Sequence, residues 1–176
     1  SIKSRVFNSL NLANHVGDDP DTVAKNRKLL QRELTGNEIN WLCQEHGQKV
    51  VKAKPGQLQR ADGQWTDSRA RPLAILTADC LPVVVVDDIA SCVGIAHAGW
   101  RGMAAGVLQS LVHEMPANPE NLRVWLGPAI GPNHYEIGEE VLSAFVNALG
   151  TEVKFAFQAV GKVRWRADLY VLAKFI

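Results

Sequence analysis

Several features that assign proteins to a functional class are scarce in this sequence. It has three cysteines and no C-x-x-C pair among 176 residues, which argues against a disulfide framework and indicates reduced thiols in a cytoplasmic compartment. No apolar run is long enough to cross a membrane, and residues 1–3 do not begin a signal peptide. Lys and Arg exceed Asp and Glu by 19 to 18, so no field of one sign favours nucleic acid as a partner. We therefore expect a cytoplasmic protein that binds neither nucleic acid nor a membrane.

The most informative stretch covers residues 77–102 and reads TADCLPVVVVDDIASCVGIAHAGWRG. Two short apolar runs, 81–86 and 92–96, are rich in β-branched residues and are separated by turn-type residues, a pattern that predicts two buried strands with a tight connection. If these strands pair antiparallel, Cys80 and His97 lie at the same end of the sheet. A thiol and an imidazole would then stand side by side, next to a Gly-Trp-Arg-Gly sequence.

The rest of the chain alternates loosely between helical spacing and short apolar runs. This predicts a mixed α/β (α+β) fold, with mixed β-sheet layers covered by helices in a single domain. Polar composition, with Pro55, Gly56 and Gly63, predicts a loop over residues 54–71. The remaining elements predicted by the pattern are helices over 22–34, 103–114 and 139–149, strands over 39–43, 49–53 and 122–126, and a strand followed by a helix within 162–176.

His46 is the third candidate for chemistry, because it follows a predicted strand at a break where a side chain can face a cleft. Two imidazoles and one thiolate, from His46, Cys80 and His97, match a catalytic zinc site with three protein ligands and one open position. The spacing of these residues is long and irregular, so the pattern leaves other chemistry open. Cys43 and Cys92 lie within apolar runs, and we expect both to be small buried hydrophobes.

Three alternatives use the same residues differently or not at all. In a cysteine hydrolase or deamidase, Cys80 is the nucleophile and His97 the base, without a metal. Two imidazoles and a thiolate also suit copper, although a multicopper oxidase needs more histidines than the five in this chain. A non-catalytic binding protein would have neither metal nor turnover.

Two arginines are candidates for binding an anion. Arg101 lies between Trp100 and Gly102 at the predicted start of a helix, where backbone N–H groups and a guanidinium favour a phosphate or an oxyanion. Arg27 lies on the predicted helix 22–34. With Asn11, these arginines form our set of candidate substrate- or phosphate-binding residues.

Seven motifs occur in order from near Ser9 to about Leu172: SLNL at 9–12, GDDP at 17–20, NR at 26–27, Q-x-H-G at 44–47, TADCLPV at 77–83, HAGWRG at 97–102 and GPAIGP at 127–132. Together they resemble the YfiH, or laccase-domain, family, which was long labelled multicopper polyphenol oxidase. The resemblance implies a single α/β domain with zinc ligands at His46, Cys80 and His97, and copper as the other metal to consider.

The same resemblance implies purine nucleoside chemistry. The expected reactions are the phosphorolysis of adenosine, inosine and methylthioadenosine, and the deamination of adenosine, with purine nucleosides and phosphate as small-molecule partners. By comparison with the family, residues 1–176 are expected to form one YfiH-like domain that lacks part of its N- and C-terminal segments.

Overall fold

The computed structural model describes residue 7 and residues 9–34, 36–89 and 91–176; the chain start discussed above, residues 1–3, lies outside the described residues. Within these ranges the helices are α1 (Pro20–Leu34), α2 (Trp100–Ala105), α3 (Val107–Glu114), α4 (Glu139–Leu149) and α5 (Leu169–Phe175). The strands are β1 (Leu42–Cys43), β2 (Val50–Lys52), β3 (Gln59–Arg60), β4 (Gly63–Thr66), β5 (Leu81–Asp87), β6 (Val93–Ala98), β7 (Leu122–Leu126), β8 (Glu136–Gly138), β9 (Phe157–Ala159) and β10 (Arg164–Ala167). Short 3₁₀ turns cover Pro119–Asn121 and Thr151–Ala156.

A five-stranded sheet in the order β2-β4-β6-β5-β7 forms the centre of the fold. Its β2–β4 pair is parallel and its other pairs are antiparallel. The predicted antiparallel pairing of the two apolar runs is confirmed, because Pro82 of β5 lies opposite His97 of β6. A three-stranded antiparallel sheet (β8-β10-β9) and the parallel pair β1–β3 complete the strands of the described residues. The predicted mixed α/β fold is therefore confirmed.

The main core lies between the central sheet and helices α2 to α5. Leu81, Ala96, Leu111 and Leu172 are fully buried there, and burial of one leucine side chain contributes about 1.5–3 kcal/mol. Helix α3 approaches β6 so closely that a Cβ on Gly94 would lie 2.7 Å from Leu111 Cδ1. This packing fixes β6, the strand that also carries His97, against α3.

The expected loop over residues 54–71 is wrong. The segment contains β3 and β4, and β4 lies inside the central sheet between β2 and β6. Its polar side chains misled the composition argument, because Gln64 is buried with its amide group donating to the carbonyls of Asn40 at 3.0 Å and Ala74 at 2.8 Å. A polar side chain whose hydrogen bonds are satisfied can be buried without a large free-energy cost.

Three smaller expectations also need correction. The helix expected over 103–114 is two helices that begin at Trp100 and break at Gly106, whose φ of 99° is left-handed. Cys43 is exposed, because β1 is a short strand at the surface, whereas Cys92 is buried as expected. The strand expected over 39–43 covers Leu42–Cys43 only, and strands β8 and β9 were not predicted. Among the described residues, no helix has the length and apolarity that a bilayer crossing requires.

Candidate metal centre

Strand pairing brings Cys80 and His97 to one end of the central hairpin. Cys80 directly precedes β5, whose first residue, Leu81, lies opposite Ala98. His97 is the next residue back along β6, opposite Pro82. The thiol and the imidazole therefore meet at the sheet edge, as the antiparallel arrangement predicts.

His46 joins them from a turn that precedes β2. The candidate ligand atoms of His46, Cys80 and His97 all lie within 4.8 Å of one another. The two imidazole rings have centroids 4.7 Å apart and planes at 83° to each other. His97 is buried, Cys80 is half-buried and His46 is exposed, so the cluster opens to solvent on the side of His46. Among the residues described, this is the one group of three or more His, Cys, Asp or Glu that could hold a metal ion.

A buried carboxylate, that of Asp62, forms hydrogen bonds with the residues of the cluster. It is 1% exposed, and its Oδ1 lies 2.9 Å from His97 Nδ1. The same carboxylate accepts hydrogen bonds from the backbone N–H groups of Glu45 at 3.1 Å, His46 at 2.9 Å and Gly47 at 2.7 Å. One side chain thus contacts the segments that carry both histidines.

The electrostatics of the metal-free cluster follow from this contact. Burial alone lowers the pKa of His97, but hydrogen bonds with Asp62 and Cys80 outweigh burial and raise that pKa to about 9. Burial raises the pKa of Asp62, and the hydrogen bonds from His97 and the backbone outweigh this and lower it. Burial, and then the positive charge of His97, lower the pKa of His46. A cation at the cluster would displace the proton that His97 otherwise shares with Cys80.

The donor set and the surrounding space fit a metal ion. A thiolate with two imidazoles is a ligand set that zinc uses in catalytic sites, and the open side of the cluster leaves room for a fourth ligand. Gly99 borders the cluster, and a Cβ there would lie 2.9 Å from Cys80 Sγ and 3.5 Å from His46 Cδ2. The backbone of Gly99 is extended, with φ −70° and ψ 162°, so the glycine provides space for the ligands rather than an unusual conformation.

Arg101 and Tyr135 lie near the cluster. The Arg101 guanidinium is exposed and stands 4.4 Å above the Trp100 ring, and its charge contributes to lowering the pKa of His46. Burial, followed by the negative charge of Cys80, raises the pKa of Tyr135 to about 12, so its hydroxyl keeps its proton at neutral pH. The site therefore presents a cation and a neutral phenol beside the candidate ligands.

Arg27 and Asn11 make contacts that join segment 11–18 to α1, and the structure does not bring either of them into the group of candidate ligands. Arg27 Nε donates to the Leu12 carbonyl at 2.8 Å, and its guanidinium lies 4.1 Å from the Trp41 ring. The Asn11 amide group donates to Asp18 at 2.9 Å and to the Ala13 carbonyl at 3.1 Å. These contacts hold segment 11–18 against α1.

The loop at residues 127–132 is hydrogen-bonded to the backbone next to Cys80. Ile130 N–H donates to the Asp79 carbonyl at 3.0 Å, one residue before Cys80. The Tyr170 hydroxyl of α5 accepts from Ala129 N–H at 2.9 Å and donates to the Gly127 carbonyl at 3.0 Å. The loop and the cysteine are therefore coupled through the backbone.

A large apolar groove in the described part of the chain lies apart from the candidate ligands. It measures about 910 Å³, and none of the three candidate ligands lines it. Its wall runs along β5, β7 and α3 and includes Val83, Val85, Leu108, Val112, Val124 and Leu126. The candidate site is therefore marked by its clustered donor atoms and not by this groove.

Sequence reasoning missed three residues of the site: Asp62, Gly99 and Tyr135. Asp62 lies in the segment that composition assigned to a loop. Its one local signal is a lone acidic residue between Ala61 and Gly63, which does not by itself indicate a buried partner for a histidine. The role of Gly99 depends on the distance to Cys80, and that distance is set by strand pairing.

Comparison with known proteins identifies the family to which the chain belongs. The family described as multi-copper polyphenol oxidoreductase laccase matches residues 1–175. A Pseudomonas aeruginosa protein named purine nucleoside phosphorylase is 46% identical over 174 residues, covering 98% of this chain and 71% of that protein. Purine nucleoside phosphorylase YfiH of Escherichia coli is 43% identical over 172 residues, covering 96% and 70% of the two chains.

Solved structures show the same fold. A crystal structure of a Neisseria meningitidis protein matches with a TM-score of 0.90 and 40% identity, over 94% of this chain and 69% of that one. YlmD from Geobacillus stearothermophilus matches with a TM-score of 0.85 and 32% identity, over 95% and 68%. The chain belongs to the multi-copper polyphenol oxidoreductase laccase family, which includes the YfiH proteins, and the resemblance seen in its motifs is confirmed.

Proposed function

We propose that this protein is a zinc-dependent purine nucleoside phosphorylase that cleaves adenosine, inosine and methylthioadenosine with phosphate. The observation that carries the proposal is the convergence of one thiol and two imidazoles within 4.8 Å at a solvent-open edge of the sheet. The names of the relatives support the substrate class, because two proteins more than 40% identical to this chain are named purine nucleoside phosphorylases.

His46, Cys80 and His97 would hold the metal ion. When bound, zinc supplies Lewis-acid polarisation of a polar group of the substrate or of water. The cluster binds it with a thiolate and two neutral imidazoles, of which His97 is oriented by Asp62. Copper is the other metal that this donor set accepts, and metal analysis distinguishes the two.

Arg101 is the proposed phosphate ligand. Its guanidinium is exposed, stacks on Trp100 and lies close enough to influence the pKa of His46. A guanidinium can bind phosphate through two parallel hydrogen bonds, which both neutralises and orients the attacking anion. Arg27 and Asn11 are proposed to contribute indirectly to substrate binding, because they hold segment 11–18 in place. This segment carries His15, whose charge also contributes to lowering the pKa of His46.

We also propose adenosine deamination at the same site, because attack of water on a purine ring requires the same polarisation. The protonated hydroxyl of Tyr135, next to Cys80, is a hydrogen-bond donor available to a purine base. Deamination consumes water rather than phosphate, so inosine formed without phosphate separates the two reactions.

A cysteine hydrolase is the second candidate, and one observation favours it. Cys80, His97 and Asp62 form a chain of nucleophile, base and orienting carboxylate, with Cys80 hydrogen-bonded to His97 and His97 Nδ1 2.9 Å from Asp62. This is the arrangement that activates a catalytic thiol. Cys80 and His97 therefore fit two mechanisms, one with His46 as a third metal ligand and one with Asp62 as the orienting carboxylate, and metal content decides between them.

The decisive experiment measures metal content and phosphate-dependent cleavage of adenosine and inosine in protein purified without an affinity tag. We expect stoichiometric zinc in the wild type, and a folded Cys80→Ala variant that loses both zinc and activity. Cys43→Ala is the matched control, because this exposed thiol lies outside the cluster and its removal should change neither. Full activity after exhaustive chelation would refute the metal proposal and leave Cys80 as the nucleophile.

A further inference from the structure

Asp62 contacts both histidines of the cluster but is not itself a candidate ligand. It lies between β3 and β4, and chain separations of 16 and 35 residues divide it from His46 and His97. Its two carboxylate oxygens receive three backbone N–H groups and one imidazole nitrogen. An ionised carboxylate only accepts hydrogen bonds, so each of these four partners must be a donor.

The consequence for His97 is a defined tautomer. Its Nδ1 must carry a proton to donate to Asp62 across 2.9 Å, which leaves the Nε2 lone pair of the neutral ring on the side of Cys80. The Asp62 carbonyl also accepts the His97 backbone N–H at 2.7 Å, so the same residue holds both the strand and the ring of His97. A carboxylate behind a ligating histidine commonly sets its orientation in metal sites.

The consequence for His46 is a stabilised turn. His46 has a φ of 60°, a left-handed conformation that is unfavourable for a non-glycine residue. The three N–H groups of residues 45–47 converge on Asp62, and their charge-assisted hydrogen bonds offset that cost. Without the carboxylate, the turn loses the interaction that directs His46 towards Cys80 and His97.

We propose that Asp62 is the positioning residue of the metal centre: it sets the tautomer of His97 and the conformation of the turn that carries His46. This inference rests on the proposed metal-dependent function, since it assumes that the cluster binds an ion. It adds that the affinity of the site depends on a residue that does not touch the metal.

The test compares Asp62→Asn with Asp87→Asn. Asparagine keeps the shape of the side chain but turns one acceptor into an N–H₂ donor, which opposes an N–H donor whichever way the amide faces. Asp87 is the matched control: it is 2% exposed, lies at the end of β5 that is remote from Cys80, and accepts a hydrogen bond from Ser91. Zinc affinity, measured by chelator competition, should fall about 10- to 100-fold in Asp62→Asn and stay unchanged in Asp87→Asn.

A second measurement does not depend on the folding of any variant. In ¹⁵N-labelled wild-type protein loaded with ¹¹³Cd, the metal should couple to Nε2 of His97, and Nδ1 should carry a slowly exchanging proton. Coupling to Nδ1 instead, or equal zinc affinity of Asp62→Asn and wild type, would overturn the inference alone. Wild-type protein that binds neither zinc nor cadmium would overturn the proposed function together with it.

Discussion

The space beside Gly99 offers a direct test of the site geometry. Substitution by alanine adds one carbon atom, and the extended backbone of Gly99 accepts alanine without conformational strain. That carbon would lie 2.9 Å from Cys80 Sγ, whereas non-bonded carbon atoms prefer about 3.5–4.0 Å and sulfur is larger than carbon. Cys80 Sγ or the backbone at residue 99 must therefore move by about 0.6 Å or more.

This displacement is large for a metal ligand, because coordination distances tolerate only about ±0.2 Å. We expect Gly99→Ala to weaken zinc binding at least about tenfold, which removes about 1.4 kcal/mol of zinc-dependent stabilisation at a fixed free zinc concentration. Overpacking would in addition destabilise the metal-free protein by about 1–3 kcal/mol. The two effects are separable, since only the first depends on zinc.

The assay is chelator competition for zinc, combined with thermal unfolding with and without the metal. Gly161→Ala is the matched control, because Gly161 lies in the turn between β9 and β10 with no atom within 4 Å of its added Cβ. Zinc affinity should be normal in Gly161→Ala and reduced in Gly99→Ala. If Gly99→Ala binds zinc as tightly as wild type, the argument that this glycine makes room for Cys80 is wrong.

Three further predictions follow from single contacts of the site. Arg101→Ala should raise the KM for phosphate more than the KM for the nucleoside and leave the melting temperature unchanged, because its guanidinium is exposed; an unaltered phosphate dependence would contradict this. Tyr170→Phe should destabilise the protein by about 1–3 kcal/mol, because the Ala129 N–H loses its acceptor. Amide hydrogen exchange at Ala129 should accelerate, and unchanged exchange would show that the loop at 127–132 does not need this hydroxyl. Metal-free protein should lose stability in urea unfolding as pH rises from about 6.5 to about 9, because the pKa of His97 is raised in the folded state. The stabilisation by its proton is complete below this window and is lost progressively across it, so a flat profile would contradict the prediction.

Local patterns were sufficient for several elements whose apolar residues are grouped closely in the sequence. Strand β7 and helix α4 were predicted with the bounds that the structure has, and β5 and β6 nearly so. Their apolar residues follow one period and end at turn-type or capping positions, so the signal is local. Helix α1 begins at Pro20, two residues before the predicted bound, and Thr22 N–H donates to Asp19 at 3.1 Å.

Strand β4 shows where local pattern fails. Gly63, Gln64 and Thr66 do not resemble a central strand, yet they are buried between β2 and β6. Gln64 is tolerated there because Asn40 and Ala74, from neighbouring segments, accept its hydrogen bonds. These hydrogen bonds cannot be predicted from the local sequence around Gln64, because the fold supplies the acceptors from other segments of the chain.

The identities of the three proposed ligands, and the meeting of two of them, were determined by the sequence alone. Cys80 precedes one apolar run, and His97 lies at the end of the next. When a tight turn pairs the two runs antiparallel, the thiol and the imidazole must meet at the same end of the sheet. Only the tertiary structure decided that Asp62 supports both histidines and that Gly99 leaves space for Cys80. The physical reason is that these contacts depend on distances in space: the contacts of Asp62 are set by the insertion of β4 into the central sheet, and the distance from Gly99 to Cys80 is set by the pairing of β5 with β6.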